Sequence, residues 1–234
     1  MKKILSMIAC ALVLAMTGCA TNKAPVQPKV VKSITLIPVL APENLSTENK
    51  GLPIGAVLIA YSIANRNKSA EFDALYADYR KSMGKKLTDA VSTELIAQGF
   101  KVQLATATES TRDKDGEIDY KKLMSHDAVL DLGYSDVGMF SGRATQYYLP
   151  MMNAYALLSR PSTKEYMMDE KYYYGAQANK DESWSIPSDP KFNFPGFNDL
   201  IEKPEAVRAA YDEGIQKMAK QLAKDFAKKL VPVR

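Results

Sequence analysis

The chain has 234 residues, with 31 Lys and Arg against 27 Asp and Glu, one His and two Cys. A formal net charge of +4 spread along this length forms no basic block or Arg-rich helix, which argues against a nucleic-acid-binding surface. Two cysteines permit at most one disulfide, so the fold must rest on a packed core, and 46% apolar residues are enough to build one domain.

Lys2 and Lys3 form a basic n-region, residues 4–16 are apolar except for Ser6, and Thr17-Gly18-Cys19-Ala20 places small residues around a cleavage point. This is the layout of a secretory signal over residues 1–18. A helix crossing the bilayer core needs roughly 20 apolar residues, and this run stops short of that. Met16-Thr17-Gly18-Cys19 resembles the bacterial lipobox, with Met16 where Leu is usual. The resemblance implies cleavage between Gly18 and Cys19 and lipidation of Cys19. Because Ala20 rather than Asp follows, it also implies, if the host is Gram-negative, a periplasm-facing anchor in the outer membrane. No free thiol would then remain, since Cys10 leaves with the signal and Cys19 takes the lipid. Removing Lys2 and Lys3 from the 31 basic residues leaves 29 against 27 acidic ones, a nearly neutral mature chain.

Residues 19–32 carry Pro25 and Pro28 and no hydrophobic period, so they read as a lipidated N-terminus and flexible tether. Residues 33–234 read as a single periplasmic α/β domain. Residues 33–40 (SITLIPVL) predict a first strand buried on both faces. Residues 52–64 (LPIGAVLIAYSIA) run without a charge between Lys50 and Arg66, too short to span a bilayer. They predict either a core segment or an exposed patch in which Leu58, Ile59 and Tyr61 would contact a partner.

Residues 69–98 predict one long helix, with Phe72, Leu75, Tyr76, Tyr79, Met83, Leu87, Val91 and Leu95 along one stripe. Ser69 is placed to cap its start and Gly99 to end it in the left-handed conformation. Gly84, inside the helix, predicts a kink or a close approach to the sheet. Residues 100–105 predict a second strand, completing a β-α-β unit with parallel strands. A short helix over 119–124 and a third strand over 127–137 follow. Residues 147–159 and 165–176 predict a hairpin around the Pro-containing turn 160–164. Tyr172, Tyr173 and Tyr174 alternate faces there, which leaves at least one ring outward.

Residues 179–204 read as a long loop with four prolines, Trp184, Phe192, Phe194 and Phe197. Loops of that length are functional or mobile, and aromatic residues are enriched at interface cores, so these four are candidates for a partner-binding surface. Residues 205–230 predict a final helix burying Val207, Ala210, Tyr211, Ile215, Met218, Leu222 and Phe226.

The predicted order, β-α-β-α-β-β-β-α, gives an α/β (α+β) fold: a mixed sheet of about five strands with two long helices packed on it. Residues 34–39, 87–102 and 123–134 (LMSHDAVLDLGY), followed by the hairpin 153–174, resemble envelope lipoproteins with a TolB-N-terminal-like or curli-secretion-like α/β domain. Penicillin-binding-protein activator lipoproteins share that layout. The resemblance is of element order, with His126-Asp127 in place of a small residue and Asp.

Catalytic chemistry is thinly represented. His126 is the only histidine, no Gly-x-Ser-x-Gly elbow occurs, and zinc-ligand and phosphate-loop patterns are absent. Residues 111–122 (TRDKDGEIDYKK) imitate a calcium loop but place Thr111 first and Lys122 twelfth, where acids are required. A solvated turn with Asp119 capping the next helix accounts for the same residues. The sequence therefore predicts no enzyme, metal or cofactor. It predicts a membrane attachment through Cys19 and a non-catalytic binding or assembly role toward an envelope protein. The alternatives are an oligomeric secretion or pore component, hence a homo-oligomer, and an envelope hydrolase.

Overall fold

The computed structural model describes residues 29–50, 57–110, 112, 118–142, 147–176 and 185–232. The strands are β1 (Lys29–Val31), β2 (Ile34–Leu36), β3 (Ser46–Asn49), β4 (Val102–Leu104), β5 (Ala128–Ser141), β6 (Leu149–Arg160), β7 (Glu165–Gly175), β8 (Ser185–Ile186) and β9 (Leu230–Pro232). The helices are α1 (Val57–Leu75), α2 (Ala77–Ala97), α3 (Phe197–Glu202) and α4 (Pro204–Lys229), with 3-10 turns at Tyr120–Leu123 and Pro190–Phe192.

The predicted β-α-β unit is present: β2 pairs in parallel with β4 on one side and with β5 on the other. β5, β6 and β7 then form the expected antiparallel meander. The full sheet has seven strands in the order β4-β2-β5-β6-β7-β8, with β3 added beside the far half of β5. The count exceeds five because short strands join where sequence offers no alternation.

Helices cover one face. Ala128, Leu130 and Leu132 of β5, with Met152, Ala154, Ala156 and Leu158 of β6, meet the stripe Met83, Leu87, Val91 and Leu95 of α2 in one core. All seven residues predicted for the inner face of α4 are buried. Each such side chain contributes roughly 1.5–3 kcal/mol of hydrophobic stabilisation before entropy is counted. Tyr172 and Tyr174 point into this core at 1% and 0% exposure, while Tyr173 sits half-buried on the other face.

The long predicted helix is two. Tyr76 departs from helical geometry (φ −103°, ψ 11°), yet its N–H still reaches the Phe72 carbonyl at 3.1 Å, so the break is a bend. The bend keeps both Phe72 and Tyr76 wholly buried, their ring centroids 4.6 Å apart, and turns Leu75 outward at 43% exposure. Ser69 is no cap: its hydroxyl accepts from Thr47 N–H (2.6 Å) and donates to Thr47 C=O (3.1 Å), latching α1 onto β3. Helix α1 begins at Val57 and so takes up much of the uncharged stretch, with Ile63 53% exposed; residues 51–56 lie outside the described residues.

The ends of the domain are more ordered than the sequence predicts. Lys29–Val31, assigned above to the tether, form β1 and pair in parallel with β9 at the C-terminal end. Two half-exposed valines, Val30 and Val231, sit opposite each other there, while Val31 and Leu230 point into the core. The proposed structureless loop 179–204 contains β8, a 3-10 turn and α3. Gly99 has φ +91°, as its place after α2 predicts.

Candidate functional site

β5 is fourteen residues long and carries a bulge between Tyr134 and Asp136. A bulge leaves one residue unpaired and twists the strand, so it commonly aims side chains at a site. Here it turns Ser135 and Asp136 to solvent on the face that the helices leave open. On the same face Gly133 stands opposite Tyr155 of β6, and a Cβ at Gly133 would lie 2.6 Å from the Tyr155 ring. Only glycine lets that ring rest on the strand backbone.

Asp131, two residues before Gly133, is 8% exposed and accepts a hydrogen bond from Arg112 Nη2 at 2.8 Å. Burial pulls the Arg112 guanidinium pKa down, but the hydrogen bond and charge of Asp131 outweigh it and the net shift is upward. Burial first, then the Asp131 charge, raises the Tyr155 phenol above its ordinary value. Arg112, Gly133 and Tyr155 form one wall of a cleft of about 540 Å³, completed by Leu40, Pro42 and Glu43 from the segment after β2 and by Tyr134 and Asp136. Arg80 holds that segment in place by donating to the carbonyls of Pro42 (3.1 Å) and Glu43 (2.7 Å). Leu40 is 62% exposed beside the exposed carboxylates of Glu43 and Asp136. The cleft thus offers apolar surface, tyrosine rings and a surplus of negative charge.

His126 lies elsewhere, in the turn before β5. Its Nε2 meets Glu109 Oε1 at 2.7 Å, and its Nδ1 meets Thr35 Oγ1 at 2.8 Å and Gln103 Nε2 at 2.9 Å. A neutral ring with the proton on Nε2 satisfies all of these contacts, because Thr35 and Gln103 can donate to Nδ1. The hydroxyl, imidazole and carboxylate make a triad in composition, but Thr35 is wholly buried in β2, with no route to a substrate. The arrangement ties the 3-10 turn and the strand after α2 to the sheet.

The backbone N–H of Thr106, followed by the side chains of His126 and Thr106, holds the Glu109 carboxyl pKa down to about 2. The ordinary value is about 4.3, so the folded state favours the ionised form; this stabilisation is complete above pH 4.3 and is lost as pH falls toward 2. Urea midpoints measured from pH 5 to pH 2 are expected to fall on acidification. Glu109→Gln should flatten part of that slope, and an unchanged slope would contradict the assignment.

The residues singled out from sequence are scattered. Phe192 and Phe194 are 5% and 3% exposed, so they do not present a docking surface. Phe194 and Tyr148 exchange backbone hydrogen bonds of 2.8 and 2.9 Å, which draws the aromatic segment into the core. Phe197 is half-buried on α3 beneath Lys68, whose Nζ is 5.2 Å from the ring centroid. Leu58, Ile59 and Tyr61 fall within α1, but their side chains, like Gly18, Cys19 and Trp184 altogether, lie outside the described residues. Most of the calcium-like loop does too; Asp119 does cap the 3-10 turn, accepting from Lys121 N–H at 3.2 Å. Among the described residues no cluster of three or more metal-ligating side chains occurs, and no helix is long and apolar enough to cross a membrane. Sequence reading missed the cleft, although Asp131 was a signal: a lone acid inside an apolar strand.

The architecture is therefore a mixed α/β sheet with helices on one face and a cleft beside the stretch of β5 that lies between its pairings with β2 and β3. No protein-family model matches the sequence, and no curated protein does. Among solved structures, protein XCC0632 from Xanthomonas campestris, of the DUF330 family, aligns over 88% of this chain and 89% of its own at 11% identity, TM-score 0.45. The lipoprotein GNA1162 from Neisseria meningitidis aligns over 61% of this chain and 81% of its own at 16% identity, TM-score 0.30. A PelC dodecamer subunit from Paraburkholderia phytofirmans aligns over 83% and 93% at 11% identity, TM-score 0.35.

Proposed function

We propose that this chain is a lipid-anchored, non-catalytic protein of the bacterial outer membrane that faces the periplasm and binds a segment of another envelope protein in the β5 cleft. The anchor reading rests on the signal layout and the lipobox-like residues 16–19. The observation that carries the binding role is the cleft itself: exposed Leu40 and the tyrosine rings lie beside Glu43 and Asp136, with His126 outside it. Apolar surface next to exposed carboxylates suits a segment that alternates apolar and basic side chains.

Self-association is a second reading, favoured by β4, a three-residue terminal strand of the sheet with Leu104 53% exposed. A photo-crosslinking residue placed at Leu40 and activated in intact cells separates the two. Binding in the cleft predicts an adduct with a different protein that falls about tenfold when Glu43→Lys and Asp136→Lys are combined. An adduct only between copies of this chain, or one indifferent to the charge reversal, would contradict it.

A further inference from the structure

β1 and β9 bring residues 29–31 and 230–232 together at the end of the sheet where β2, β4, β5 and β7 begin. Lys29 pairs with Glu165 at 2.6 Å, Arg160 donates to the Val30 carbonyl at 2.8 Å, and Asp127 accepts from Lys32 N–H at 2.5 Å. Arg160 also lies 3.6 Å from Asp127. The chain therefore enters the fold at one fixed place. Cys19 is ten residues before Lys29, a reach of at most about 35 Å when fully extended.

The surface around that place has a distinct chemistry. Asp127, Glu165, Asp225 and Glu170 are already paired with Arg160, Lys29, Lys228 and Lys229, while Asp169, next to Glu170 on β7, is exposed with no basic partner among the described residues. Glu109 is held by His126, and Asp119 is spent on its cap. Lys32, Lys101, Lys121, Lys122 and Lys164 are exposed and have no acidic partner among the described residues. Lys101 is at this end because its carbonyl accepts from Ile34 N–H, and Lys164 because it sits in the β6–β7 turn. Between them stand exposed apolar groups: Val30, Val231, Met124 and Tyr166, the last 67% exposed. Tyr120, Ser159, Arg160, Pro161, Lys164 and Tyr166 line a groove of about 220 Å³ there.

We infer that this end of the sheet is the membrane face, and that it rests on anionic phospholipid headgroups. The inference builds on the anchoring reading above. Lysines reach phosphates while tyrosine and small apolar groups sit at headgroup level, the combination that favours interfacial contact. Attraction to an anionic surface accumulates with each lysine and fades within a Debye length, so a tether ending at this face suffices to hold it in range. The β5 bulge and β3 lie toward the opposite end, which leaves the cleft open to the periplasm.

The full chain, extracted with its lipid and reconstituted in vesicles, tests this. Tyr166→Cys and, at the far end of the sheet, Tyr147→Cys each receive a fluorophore, and quenching by headgroup spin-labelled lipid is compared. In phosphatidylglycerol-containing vesicles the Tyr166 position should be quenched about threefold more than the Tyr147 position. Combining Lys121→Glu, Lys122→Glu and Lys164→Glu should bring that ratio to about one while leaving the circular dichroism unchanged. Equal quenching at both positions, or a ratio indifferent to lipid charge, would overturn the inference. A chain that carries no acyl group would defeat the anchoring reading instead, and the same labels on chain added to preformed vesicles would still decide the face.

Discussion

Gly84→Ala is expected to destabilise the domain by about 2 kcal/mol or more, against the direction that helix propensity alone would give. In an exposed helix, alanine in place of glycine stabilises by about 1 kcal/mol. At Gly84 a Cβ would stand 2.3 Å from the Val39 carbonyl oxygen and 2.8 Å from Ala41 N and Leu40 C. All three are backbone atoms, which cannot swing aside as a long side chain could. Thr88 adds to the constraint: its hydroxyl donates to Gly84 C=O and accepts from Val39 N–H, both at 2.9 Å, so separating α2 from the segment after β2 breaks that bridge. Overpacking costs typically about 1–3 kcal/mol and exceeds the propensity gain. Urea unfolding checks the sign, with exposed Lys85→Ala as a control that should stay within about 0.5 kcal/mol of the parent. Leu40 and Ala41 also line the cleft, so the variant should weaken crosslinking from Leu40 even where it folds.

The largest functional effect is expected at Cys19. Each acyl chain buries methylene groups at about 0.8 kcal/mol apiece, on the order of 10 kcal/mol per chain, so the three chains that the lipobox resemblance implies for Cys19 would make attachment stable. Cys19→Ala removes the sulfur that would form the thioether, and the variant should accumulate as a precursor that keeps residues 1–18. Immunoblotting would show it as a slower band, with the processed band gone. Processing that continued unchanged would mean that an ordinary signal is cleaved and that Cys19 has no part in it.

Much of the fold was legible in the sequence because its parts are locally periodic. The stripe from Tyr79 to Leu95, the single Gly99, the alternation on either side of residues 160–164 and the inner face of α4 all lie in windows where one period dominates. What stayed hidden depends on distant partners. β1 and β9 are three residues each and pair across almost the whole chain, so neither shows a pattern of its own. The bend at Tyr76 arises where the Tyr76 hydroxyl reaches the Leu200 carbonyl, a contact across 124 residues, while the local spacing is that of a continuous helix. Phe192 and Phe194 read as interface aromatics because a Pro-rich loop gives no hint of its bridge to Tyr148. At the cleft, Asp131 was visible as an acid among apolar residues, but its partner Arg112 lies in a segment whose composition suggests only a solvated turn.

Both the binding role and the membrane face require Cys19 to hold the domain at a bilayer. The intact mass of the chain extracted from membranes tests it most directly. The expected result is a polypeptide beginning at Cys19, heavier than residues 19–234 by a diacylglycerol and an amide-linked acyl group. A mass matching an unmodified Cys19, or a chain still carrying residues 1–18, would contradict it.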